Sequence, residues 1–115
     1  MFRRRRFADL IARQLDLFER ENADALRRVA DTRRRELRAD EEDATEAFGD
    51  YLDEVGWAAE ELREIRDGYA GTLDAAATSA YYAAYGKAVR RRFPELYDAY
   101  RHDADLAGGV DDEDD

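Results

Sequence analysis

AAATSAYYAAYG, residues 75–86, carries no charge in a chain of 115 residues of which 42% are charged. Alanine is the best helix former, and Leu73 before the run and Ala88 and Val89 after it extend the pattern into one helix. A helix that is apolar all round is normally enclosed by its neighbours, which makes this the central element. At about 100° per residue, Leu73, Ala76, Ala77, Ala80, Ala84 and Ala88 form one side, with Tyr82, Tyr85, Val89 and Phe93 opposite. Small side chains permit a short distance to a neighbouring helix, so the alanine side is expected to make the intramolecular contact. The aromatic side is then left for a second copy, in a homodimer.

Outward from this run, helical periodicity recurs on both sides. Phe7, Leu10, Ile11, Phe18, Ala25 and Val29 share one arc of a first helix from about Phe7 to Ala30. Its phase does not match that of Phe48, so a break is needed; Asp31-Thr32 is one position for it, since Leu37 already fits the phase of the second helix, and the region of Ala39 to Glu41 is the favoured one. Asp40 is a good N-cap there, and the acids after it favour a helix N-terminus. The second helix carries Phe48, Val55 and Leu62 every seven residues, and likewise Tyr51, Ala58 and Ile65, with Leu52 and Ala59 beside them. Gly49 and Gly56 lie at the edge of this seam; each costs about 1 kcal/mol relative to alanine, which a close neighbouring backbone explains. Gly68 is read as its stop. Phe93-Pro94 closes the third helix and opens a short fourth one to His102. The acids and glycines from Asp103 onward read as a disordered tail. The expected fold is all-α: an antiparallel three-helix bundle with a short fourth C-terminal helix, residues 1–102, and an acidic tail, residues 103–115.

Composition narrows the function. There are 29 acidic residues against 19 basic, a net charge of −10, and Lys87 is the single lysine. An acidic, lysine-poor surface is of halophilic type, because carboxylates hold hydration water and high salt screens their repulsion. A GC-rich genome encodes the same bias without salt adaptation. Cysteine is absent, so neither disulfides nor thiolate chemistry enter. No apolar run approaches the ~20 residues of a membrane span, and Asp9, Arg13 and Asp16 interrupt what would be a signal-peptide core. A cytoplasmic location follows as the expectation.

Catalytic constellations are lacking. The hydroxyls are Ser79 and a few threonines, and His102 is the only histidine. Di-iron bundles need a Glu-x-x-His motif on each of two helices, which one histidine does not supply. No catalytic, cofactor or metal site is therefore expected, and the leading function is a non-enzymatic helical interaction module that self-associates. The alternative is phosphate or nucleic-acid binding through Arg3, Arg4, Arg5 and Arg6 and through Arg27, Arg28, Arg34, Arg35 and Arg38. Acids interleave these arginines, whereas nucleic-acid binders present a concentrated basic face. Trp57 stands out: it falls about 180° from Phe48, among Asp50, Asp53, Glu60 and Glu64. With Tyr82, Tyr85, Val89 and Phe93 it completes the set of expected interface residues.

Overall fold

The computed structural model describes residues 6–108, with side chains to His102. The described residues form helices alone: α1 (Ala8–Glu21), α2 (Ala23–Arg38), α3 (Ala44–Ala70), α4 (Ala75–Arg92) and α5 (Pro94–Gly108). Where three long helices and a short fourth were expected, there are five. The expected first helix is bent at Asn22, which lies at φ −117°, ψ 27°. The Asn22 Nδ2 group donates to the Phe18 carbonyl at 2.9 Å, and the Asn22 backbone N–H reaches the same oxygen at 2.9 Å. A side chain that competes for a helix carbonyl in this way turns the chain without glycine or proline.

The break between α2 and α3 falls at Ala39, extended at ψ 142°, in the region that the sequence indicates, but α3 starts only at Ala44: Asp43 rather than Asp40 precedes it, and Asp40 Oδ1 accepts from the Asp43 N–H at 3.0 Å in the turn between. Gly68 does not end α3, which runs to Ala70 and closes with the Gly71 N–H on the Asp67 carbonyl at 3.1 Å. Asp74 then caps α4, its Oδ1 accepting from the Ala77 N–H at 2.8 Å, and satisfies one of the free donors of the first turn. α4 spans the apolar run and ends at Arg92 as read, but Leu73, expected within it, lies in the turn before Asp74. The expected disordered tail splits: residues 103–108 continue α5 as helix, and residues 109–115 lie outside the described part.

Two regions result. In the base, α1, the C-terminal half of α3, α4 and α5 enclose Leu15, Phe18, Leu62, Tyr81, Tyr85, Val89 and Leu96, each buried. Tyr81 meets Tyr69 and Phe7 with ring centroids 4.9 and 5.3 Å apart, and Phe18 meets Phe93 at 5.2 Å, all edge to face. In the arm, α2 pairs with the N-terminal half of α3 over Ala25, Val29, Ala47 and Val55, of which Val29 and Val55 are continuous with the core of the base. The molecule is accordingly long, 51 × 33 × 23 Å.

The orientation of α4 corrects the sequence reading. Tyr85 and Val89 are fully buried and Phe93 is 6% exposed, whereas Ala76 and Ala80 face solvent and Ala84 and Ala88 are half-buried. Of the face expected to meet a second copy, Tyr85, Val89 and Phe93 are covered within this chain, and Tyr82 alone stays at the surface. Burying tyrosine or phenylalanine removes about 150–250 Å² from water, at roughly 25 cal/mol per Å². Alanine has far less to gain, so the large face takes the interior. The fourth helix also proves longer than expected, 15 residues from Pro94, and runs down the length of that face.

Candidate interaction surface

The sequence-derived candidates divide by where the fold places them. Tyr85 and Val89 belong to the core, and the Tyr85 hydroxyl donates to the Leu62 carbonyl at 2.7 Å. Burial holds the Tyr85 phenol well above its ordinary pKa and pushes that of Tyr81 up to about 12. Tyr82 is 39% exposed but engaged within the chain. Its hydroxyl donates to Asp67 Oδ1 at 2.7 Å, and the Arg66 guanidinium lies 4.5 Å from its ring centroid. Arg66 also pairs with Asp67 at 2.7 Å and donates to the Tyr100 hydroxyl at 3.1 Å. The Arg66 hydrogen bond holds the Asp67 carboxyl below the usual carboxylate range, against the opposing effect of burial. One helix turn earlier, Arg63 Nη1 donates to the Ala99 and Tyr100 carbonyls at 3.2 and 3.1 Å. These contacts fasten α5 to α3 and set the two helices parallel.

The arginine clusters are already met by acids. Arg27 pairs with Asp24, Arg34 with Asp31 and Arg35 with Asp50; Arg28 reaches Glu54 at 3.1 Å and Arg33 reaches Glu36 at 2.7 Å. Arg38 lines a shallow cleft whose other walls include Asp43, Glu46 and Asp50. A phosphate approaching α2 therefore meets carboxylates beside every guanidinium. Arg3, Arg4 and Arg5 lie outside the described residues, and the Arg6 guanidinium sits 5.0 Å from the Phe7 ring centroid.

Chemistry of other kinds is sparse. Ser79 is exposed rather than buried, and neither it nor the exposed His102 makes a side-chain hydrogen bond among the described residues. Among those residues no group of three or more His, Cys, Asp or Glu is placed to hold a metal ion, and no helix is long and apolar enough to cross a membrane. A groove of about 340 Å³ runs between α1 and α4, floored by Ile11, Leu15, Ala84 and Ala88. Lys87 and Arg91 stand on its α4 bank, with Asp9 and Asp16 on the α1 side by helical position.

What the sequence missed is the arm. Phe48 and Leu52, read as seam residues, are 45% and 48% exposed; Leu37 on α2 is 67% exposed and Trp57 47%. α3 is 27 residues long and α4 only 18, so the upper part of the seam has one neighbour, α2, where the lower part has several. That length mismatch is the signal available in the sequence. Trp57 does project from the acidic side, as its spacing indicates. No protein-family model, no curated protein and no solved structure matches the chain.

Proposed function

We propose that the protein is a non-enzymatic helical interaction module that presents its α2–α3 arm to a partner. The observation that carries this reading is the concentration of large exposed apolar side chains on one two-helix projection: Leu37, Phe48, Leu52 and Trp57. Scattered exposed apolar residues are ordinary on a monomer, but Phe48 and Leu52, one turn apart on the same side of α3, are neighbours, and contiguous apolar surface suits an interaction site. Exposed aromatic residues are enriched at such surfaces. The base supplies the rigid platform, with its aromatic core and the Arg63 and Arg66 fastenings. The phosphate reading gains no support, because the α2 arginines sit on carboxylates.

A photo-crosslinking amino acid at position 52, compared with one at position 80, tests the reading in cells that make the protein. Leu52 and Ala80 are both exposed, but only Leu52 lies on the arm. Crosslinks from position 52 to a defined product, well above those from position 80, support the module. Equal, background-level labelling at the two positions overturns it.

A further inference from the structure

We infer that the groove between α1 and α4 binds a single-chain carboxylate of fatty-acid type, its head on Lys87 and Arg91 and its chain along the alanine-lined floor. The site lies on the base and stands independently of the arm. α1 and α4 run parallel, with Phe7 against Tyr81 at one end and Phe18 against Phe93 at the other. Between those ring contacts the facing side chains shrink. Ala8 and Ala12 on α1, with Ala84 and Ala88 on α4, leave a groove of about 340 Å³ over the buried Ile11 and Leu15. From Ala8 to Leu15 the groove is about 10 Å long, the reach of an extended chain of roughly eight carbons.

Charge selects an anion for this groove. The clefts beside α2 have carboxylates in their walls: Asp43, Glu46 and Asp50 in one, Asp31, Asp53 and Glu54 in another. No carboxylate lines the α1–α4 groove, whose charged lining residues are Lys87, Arg91 and Arg92. α4 contains neither Asp nor Glu between Ala75 and Arg92, so no acid on its own helix neutralises Lys87 or Arg91. Across the groove, α1 sets Ala12 and Arg13 at the level of Lys87 by helical position. Asp16 and Glu19, higher on α1, are held by Arg92 at 2.6 and 2.8 Å, a bridge that closes the upper end. Among the described residues Lys87 and Arg91 thus have no ion-pair partner, in a chain with 29 acids against 19 bases. The α2 arginines, which sit on acids, show the opposite arrangement.

The two cations are one helix turn apart, with Cβ atoms about 6 Å from each other. One carboxylate can take paired N–H bonds from the guanidinium and the ammonium at the end of its flexible stem. A bare anion would leave the apolar floor wet, and a nucleic-acid backbone would lay phosphates over it. A carboxylate with an acyl chain satisfies both parts of the site. An apolar cleft with a few convergent polar groups is the usual form of a small-molecule site.

Titration of the isotope-labelled full chain with sodium decanoate, below its micellar concentration, followed by amide NMR, tests the proposal. The expected result is saturable shifts at Ala12, Ala84, Lys87 and Ala88, with a dissociation constant on the order of 1 mM. Hexanoate, octanoate and decanoate should tighten by about two- to fourfold per added methylene. Lys87→Gln with Arg91→Gln, both at exposed positions, weakens decanoate at least tenfold while the melting temperature holds. Decanol, which lacks the charge, binds the wild type no better than decanoate binds that variant. Ala84→Leu is the second, independent variant: it fills the floor, leaves both cations in place and weakens decanoate at least tenfold. Three results overturn the proposal: shifts that gather at Phe48 and Leu52 instead, decanol binding as tightly as decanoate, or undiminished binding in the Lys87→Gln, Arg91→Gln variant. Binding to vesicles of anionic phospholipid without saturable decanoate binding overturns it too, and assigns the two cations to a lipid surface. Crosslinking at position 52 reads the arm alone, so either reading can fail without the other.

Discussion

Around Phe18 the chain surrounds its core with four helices; around Ala47, toward the far end of the arm, it has two. Phe18, Leu15, Tyr81 and Tyr85 in the base have essentially no exposed surface, and each of the large aromatic side chains among them removes some 150–250 Å² from water. The arm has Ala25, Val29, Ala47 and Val55 for its interior, none of them large. Cross-helix contacts compensate: Arg28 with Glu54, Arg35 with Asp50, and the Arg33 guanidinium 4.9 Å from the Tyr51 ring centroid. Exposed ion pairs contribute about 0–1 kcal/mol each and are screened by salt. The comparison teaches that burial is divided unevenly along this molecule. The base holds the larger share of the buried aromatic surface, and the arm leaves Leu37, Phe48, Leu52 and Trp57 exposed.

The largest expected effect follows from the base. Phe18→Ala removes a fully buried ring beside Phe93 and costs about 3–5 kcal/mol. Leu37→Ala on the arm changes stability by no more than about 0.5 kcal/mol, because that side chain is 67% exposed. Urea unfolding of both variants, followed by circular dichroism, measures the two losses. Similar losses would mean that the arm is not energetically separate from the base.

Alkali sharpens the same contrast with a smaller effect. Six of the seven tyrosines lie in the base, and Tyr51 alone lies in the arm. Burial raises the Tyr81 pKa to about 12 and drives that of Tyr85 higher, whereas an unfolded phenol titrates near 10. From about pH 10 upward the unfolded chain therefore releases protons that the folded chain still holds. Stability is fully present below pH 10 and falls as the pH rises toward 12, by on the order of 2 kcal/mol for Tyr81. Phenolate absorbance at 295 nm, recorded alongside the helical signal, should show late-titrating tyrosines that ionise only as the base unfolds. Ionisation of all seven before any loss of helix would contradict it.

The sequence carried much of the fold and little of the surface. Helix content, the region of the break at Ala39 and the end of α4 follow from periodicity, Asp40 and the pair Phe93-Pro94, all local signals. The bend at Asn22 does not, because it depends on a side-chain amide competing for the Phe18 carbonyl, and an asparagine inside a helical pattern has other uses. Gly68 fails as a stop because tertiary contacts of Tyr69 and Ala70 carry α3 past it. The exposed part of the seam was hidden for a different reason. Heptad spacing shows which face of α3 is apolar but not how far the covering helices reach along it.

The smallest expected effect is the most direct check on which way α4 faces. An all-apolar helix has no polar side to mark its outward direction, so periodicity alone leaves two orientations. The alanine-inward orientation makes Ala80→Leu severely destabilising, by roughly 1–3 kcal/mol, because the larger side chain would force two helices apart. In the structure the same position faces solvent, with Tyr81 beside it turned inward and its hydroxyl donating to Gln14 Oε1 at 2.9 Å. Leucine is nearly as good a helix former as alanine, so the change in stability should stay within about 0.5 kcal/mol. Ala84→Leu is the paired control: Ala84 is half-buried at the floor of the α1–α4 groove, which has room for the extra atoms. Both variants are read by thermal melting and urea unfolding against wild type. A loss above 1 kcal/mol at Ala80 would turn α4 around, bring the tyrosine face back to the surface and dissolve the distinction between a closed base and an open arm.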